Sequence, residues 1–246
     1  MNTIEWLPFP DAASLADAAG RRWAAEVAAG ATHGKAFSVA LSGGRIAAPL
    51  YAAAVAASRG RVDLWGEVEF FFADERWVPL DDPESNYRLA REHLFDPLGI
   101  ADRRIHPFSV SADTEFAVAQ AQAEVLRATT VNERGDPMFD LVLLGMGEDG
   151  HVASLFPDAP PAVVESRAVY LAVTGPKPPP RRVTLSYAVL AAARRVWVLA
   201  SGPGKRAALE ASLAPGGKTP LARVLQSRKR TVILTDVAVT DRGRAG

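Results

Sequence analysis

The apolar residues of this chain fall into short unbroken runs that end at glycine or at a polar cluster, and the runs alternate with segments of helical spacing. Ala36–Leu41, Val68–Phe72, Phe139–Leu144, Ala168–Val173, Arg195–Ala200 and Thr231–Leu234 read as strands. Runs without polar alternation are the pattern of parallel strands covered on both faces. Ile105–Pro107 reads as one more brief strand. Leu15, Ala19, Trp23 and Val27 recur every four residues, so Asp11 to Ala29 predicts a helix, broken by Gly30 and Gly34. Ile46–Ala57 predicts a second. Ser85 is suited to cap a third that runs through Leu94. The spacing of Phe116, Ala119, Ala123 and Leu126 predicts a fourth over Thr114–Ala128. Arg182–Leu190 is expected to turn into a helix. Gly202-Pro203-Gly204-Lys205 leads into one that stops at Leu213, before Pro215-Gly216-Gly217, and Leu221–Leu225 forms the last. The polar tail after Asp236 is expected to fray.

This alternation predicts an α/β fold: a single Rossmann-like domain over residues 1–246, three-layer α/β/α, with a mostly parallel sheet. No internal repeat or long linker divides it. The proline-rich loop Thr174–Arg181 is short enough to be an active-site loop.

Composition narrows the function classes. The chain has 246 residues and a formal net charge of zero, which suggests neither nucleic acid nor an anionic membrane as partner. It has no cysteine, so disulfides, thiolate metal sites and thiol catalysis are excluded. The N-terminus, MNTIEWLPFPDAA, lacks the basic and apolar regions of a signal peptide. The longest small-apolar run, Ile46–Ala57, is too short to span a bilayer and contains Pro49. A cytoplasmic protein is expected.

Polar clusters fall at the expected strand ends. Phe139–Pro157 reads as a buried strand, a glycine turn (Gly145–Gly150) and a short helical start at His151. Gly145, Gly147 and Gly150 fit the dinucleotide fingerprint G-x-G-x-x-G, but Glu148 and Asp149 place anions where a pyrophosphate would sit, and no acid closes the next strand. Ser42–Arg45 follows one strand, Asp74–Arg76 another and Asp149–His151 a third. In an open parallel sheet such ends share one edge, where ligands bind. Each cluster has a plainer reading: a tight turn, a solvated charge run and a structural histidine. Lys205 follows a glycine turn at a helix start, without Walker A spacing, and Arg182 follows the proline loop; either suits a phosphate or an ordinary surface.

Five blocks carry a family resemblance: LSGGR (Leu41–Arg45), FFADERWVPLDDPESNYR (Phe71–Arg88), LLGMGEDGHVASLFP (Leu143–Pro157), RVTLS (Arg182–Ser186) and GPGKRAAL (Gly202–Leu209). In this order the chain resembles the 6-phosphogluconolactonase family, which shares its fold with glucosamine-6-phosphate deaminases and ribose-5-phosphate isomerases. The resemblance implies hydrolysis of 6-phosphoglucono-δ-lactone in the oxidative pentose phosphate pathway, with no metal or organic cofactor. The resemblance likewise implies a small phosphosugar lactone as partner, and a monomer or small homo-oligomer is expected. His151 is then the general base, with Asp149, Asp74 and Glu75 shaping and polarising the site. Ser42, Gly43, Gly44, Arg45, Arg76, Asn86, Arg182 and Lys205 are the expected substrate contacts, chiefly for the phosphate. One departure stands out: many members read SGGS-T-P where this chain has Ser42-Gly43-Gly44-Arg45-Ile46-Ala47.

The chemistry suits these residues. A lactone is an activated ester, so water needs one base and some stabilisation of an oxyanion. Histidines titrate ordinarily near pH 6.5, and general-base catalysis contributes typically ~10²–10⁴ in rate. Amides of the Gly147–Gly150 turn are expected to face the oxyanion. Two rivals remain. A deaminase or isomerase of the same fold needs a further acid just past the histidine, where Val152–Pro157 has none. A non-catalytic phosphosugar sensor would carry an added DNA-binding segment.

Overall fold

The structure, a computed structural model, describes residues 2–30, 36–61, 63–110 and 113–239. Its elements, in chain order, are β1 (Thr3–Pro8), α1 (Ala12–Gly30), β2 (Phe37–Leu41), α2 (Ala47–Ala57), β3 (Val68–Phe72), β4 (Asp74–Arg76), α3 (Asn86–Ala90) and α4 (Asp96–Leu98). There follow α5 (Thr114–Ala128), β5 (Thr130–Val131), β6 (Pro137–Met138), β7 (Leu141–Gly145), α6 (Pro161–Val164), β8 (Tyr170–Thr174) and β9 (Arg181–Leu185). The chain ends with α7 (Tyr187–Ala192), β10 (Val196–Ala200), α8 (Arg206–Leu213), α9 (Pro220–Ser227) and β11 (Arg230–Thr235).

Six strands form one parallel sheet in the order β1-β11-β10-β7-β2-β3. Every residue of β2 and β10 is buried, which is why these segments read as unbroken apolar runs. From β2 the chain proceeds outward to β3; from β7 it proceeds the other way, through β10 to β11. The order therefore reverses between β2 and β7, and the carboxyl ends of that pair are where an open α/β sheet leaves a crevice. On the flank, α1 lies so close to α2 that a Cβ on Gly20 would come within 2.6 Å of the Ala53 side chain and the Ala54 backbone, so glycine sets their approach. Trp23 of α1 meets Trp65 edge-on, with ring centroids 4.9 Å apart.

The three-layer, mostly parallel architecture is the expected one, with local departures. β1 was not anticipated: it lies at the sheet edge and acquires its strand form by pairing with β11. Asp74–Arg76, expected as loop, forms β4, which with β9 and β8 makes a separate antiparallel sheet in the order β4-β9-β8. Arg182–Leu185, expected to enter a helix, is the middle strand of that sheet, and the helix begins only after the cap at Ser186. No helix starts at His151. Val152 instead bridges to Met146 and Leu155. Ile105 makes a single bridge to Phe70 rather than a strand. The third helix continues past Ala90 through a π-type turn (Arg91–Phe95) and stops at Gly99, which has φ 63°. In α5 the stripe that predicted the helix faces out: Phe116 and Leu126 are exposed, while Ala117 and Val125 are buried. Gly34 and the tail from Thr240 lie outside the described residues. No helix of the described residues is long and apolar enough to cross a membrane.

Candidate active site

At the β2–β7 crevice, the turn after β7 sets an imidazole beside a carboxylate. Gly147 N–H donates to the His151 carbonyl at 2.8 Å and Gly150 N–H to the Gly147 carbonyl at 3.1 Å, which closes the turn. Inside it, His151 Nδ1 lies 2.6 Å from Asp149 Oδ1, and the same oxygen accepts from the His151 backbone N–H at 3.1 Å. An ionised carboxylate only accepts, so it selects the tautomer with the proton on Nδ1 and leaves Nε2 as the basic nitrogen. Burial pushes the Asp149 carboxyl up, but hydrogen bonds from His151 and its charge outweigh that and hold it below the ordinary value. The imidazole packs beside Phe156, centroids 5.0 Å apart. A Cβ on Gly147 would lie 2.1 Å from His151 Nδ1, so only glycine lets the pair fold over the turn. Ala153 just beyond has φ 49°, a strained conformation for a non-glycine residue at the cleft wall.

His151 opens onto a cleft of about 110 Å³. Ser42, Gly43, Gly44 and Arg45 line it from the end of β2, Asp74 and Arg76 from β4, Asn86 from the start of α3, Arg182 from β9 and Lys205 from the turn after β10. Asp74 is buried and its Oδ2 accepts from the Ser154 hydroxyl at 2.6 Å. Arg76 and Arg182 are directly opposed across β4 and β9. Burial and the neighbouring Arg76 charge lower the Arg182 pKa. Arg182 also sits over the Phe156 ring at 5.9 Å. Lys205 is likewise lowered, by burial first and then by Arg45, against the opposing charges of Glu148 and Asp236. Arg45 is 83% exposed in its side chain and lies 3.6 Å from Glu148. Ser42 Oγ and Arg76 Nε are buried with no hydrogen-bond partner among the described residues. A larger cavity of about 870 Å³, apolar in much of its wall, adjoins on the Asp149, Arg182 and Phe156 side, while the His151 imidazole lines the smaller cleft.

Of the expected residues, Asp149 and Glu75 do not line this cleft: Asp149 lies on the larger cavity, bonded to His151. Glu75 lies behind the cleft wall, its carboxylate taken up by Arg76, Asn86, Tyr87 and Ser85. Of the turn amides expected to meet an oxyanion, those of Gly147 and Gly150 are otherwise engaged, and the His151 N–H beyond them also donates within the turn. The sequence reading passed over Ser154, which holds Asp74, and Phe156, which packs between His151 and Arg182. Their signal lay in the stretch ASLFP that follows the histidine.

The family described as glucosamine-6-phosphate isomerases/6-phosphogluconolactonase matches residues 10–233. The chain belongs to this family. Among relatives in the glucosamine-6-phosphate isomerase/6-phosphogluconolactonase family, the Mycobacterium tuberculosis protein named 6-phosphogluconolactonase is 41% identical over 222 residues, covering 87% of each chain. The Streptomyces coelicolor protein of the same name is 37% identical over 247 positions, covering 96% of this chain and 94% of its own. The solved structure of 6-phosphogluconolactonase from Trypanosoma brucei superposes with a TM-score of 0.80 at 31% identity, covering 96% of both.

Proposed function

We propose that this chain hydrolyses 6-phosphoglucono-δ-lactone to 6-phosphogluconate, with His151 as general base. The observation that carries this reading is His151, held 2.6 Å from Asp149, lining a cleft together with Arg45, Arg76, Arg182 and Lys205. Nε2 takes a proton from water as its oxygen attacks the lactone carbonyl, and Asp149 steadies the imidazolium that forms. The tetrahedral intermediate then expels the ring oxygen. The imidazolium returns its proton to that oxygen, so the base is regenerated and one water is consumed. The cations and the Ser42–Gly44 turn hold the phosphate and the developing oxyanion, and phosphate binding orients the ring at the reacting carbon.

The family also contains deaminases and isomerases, which need an acid just past the histidine. Here Val152, Ser154 and Leu155 occupy that stretch as buried residues, so the lactonase reading is preferred. The test is a lactone-hydrolysis assay corrected for spontaneous hydrolysis, run beside an assay for ammonia release from glucosamine 6-phosphate. Lactone turnover that falls about 10²-fold or more in His151→Ala, with the fold intact, is expected. Ammonia release without lactone turnover reverses the choice, and near-normal lactone turnover in His151→Ala removes the assigned base.

A further inference from the structure

Glu75 is 3% exposed and takes up hydrogen-bond donors from four residues, yet it does not line the cleft. Its Oε1 accepts from the backbone N–H of Arg76 at 2.7 Å and of Asn86 at 2.8 Å. Its Oε2 accepts from the backbone N–H of Tyr87 at 2.8 Å and from the Ser85 hydroxyl at 3.1 Å. Arg76 and Asn86 both line the cleft, and the loop of residues 77–85 runs out and back between them. One oxygen atom thus ties both ends of that loop. The tie reaches further through Asn86. Its amide donates to the Asp74 carbonyl at 2.8 Å, and its Oδ1 sits so close to Gly43 that a Cβ there would lie 1.9 Å away.

We propose that Glu75 is a positioning residue: its carboxylate sets the mutual placement of Arg76, Asn86 and the Gly43 turn, and takes no part in proton transfer. All its partners are donors, so the ionised form fits them and a protonated carboxyl would set an O–H against an N–H. Burial, with the Asp74 charge, outweighs the three backbone N–H groups and puts Glu75 at about 7. The charged form, which the donor set fits, therefore prevails above that value. The proposal rests on the lactonase reading of this cleft and deepens it, because it removes one of the expected acids from the chemistry and gives it to geometry.

The test compares wild type, Glu75→Gln and, as control, Glu92→Gln, an exposed acid of the helical segment that begins at Asn86. Each is measured by thermal melting, lactone kinetics and calorimetric binding of 6-phosphogluconate. Glu75→Gln puts an amide NH₂ against donors and shifts the groups it holds, and a misplacement near 1 Å costs up to about 10²-fold. The folded variant should lose about tenfold or more in kcat/KM and bind 6-phosphogluconate more weakly. The loss should shrink to about twofold on an Asn86→Ala background, and Glu92→Gln should change nothing. If Glu75→Gln fails to fold, Ser85→Ala, which removes one donor, should reproduce the loss at about two- to threefold. Kinetics and binding per folded molecule that match wild type, with only a lower melting temperature, overturn the proposal. A wild type that binds 6-phosphogluconate but does not hydrolyse the lactone defeats the lactonase reading alone, and the binding arm still decides the role of Glu75.

Discussion

Replacing Gly147 by alanine inserts one methyl group beneath the His151–Asp149 pair, the proposed base and its partner. The new Cβ would lie 2.1 Å from His151 Nδ1, 2.2 Å from Cε1 and 2.6 Å from Asp149 Oδ1, against a practical limit of 3.0 Å. The imidazole must therefore retreat by about 1 Å, and the 2.6 Å bond to Asp149 cannot survive the move unchanged. A displacement of that size at a reacting group costs up to about 10²-fold, or ~2.7 kcal/mol of transition-state stabilisation. Gly147 is not among the glycines with positive φ, so alanine meets no backbone strain there. The cost should fall on kcat/KM while the folded state persists. Lactone kinetics and a melting curve on the same preparation separate the two effects. A Gly147→Ala enzyme that keeps kcat/KM within about twofold of wild type would show that the pair is not held by this contact, and the assigned geometry of the base would be wrong.

Lys205→Ala and Arg182→Ala should each raise KM by about tenfold or more, since a hydrogen bond to a charged group contributes about 1.5–3 kcal/mol, with some loss in kcat because the phosphate also orients the ring; an unchanged KM in both would remove them from the phosphate contacts. Ser154→Ala leaves buried Asp74 one donor short and should lower stability by about 1–3 kcal/mol in a denaturant titration, and no loss would mean another donor replaces the hydroxyl. Asp149 has a folded pKa below its ordinary value of about 3.9, so its contribution to stability is present above that value and is lost as pH falls through the folded one. The stability gap between wild type and Asp149→Asn should accordingly be constant near neutral pH and close on acidification below about pH 4, and a gap that widens there contradicts the sign of the shift.

Five of the six parallel strands, the glycine turns at their ends and the polar residues those turns present were legible along the chain, whereas β1 was missed and Ala168–Val173, read with them, became the antiparallel β8. Each legible feature is a local matter: an unbroken apolar run such as Leu141–Leu144 has to be covered on both faces, and a turn such as Gly145–Gly150 needs the conformations glycine allows. The remaining features came from long-range contacts, because each depends on a partner distant along the chain. β4 exists through pairing with β9, more than a hundred residues on, and β1 through pairing with β11 at the opposite end. Apolar residues on two sides of α5 could not reveal which stripe meets the core. In Asp74-Glu75-Arg76 the alternation of a strand sends neighbouring side chains to opposite faces, so Asp74 and Arg76 reach the cleft while Glu75 turns behind it to the start of α3.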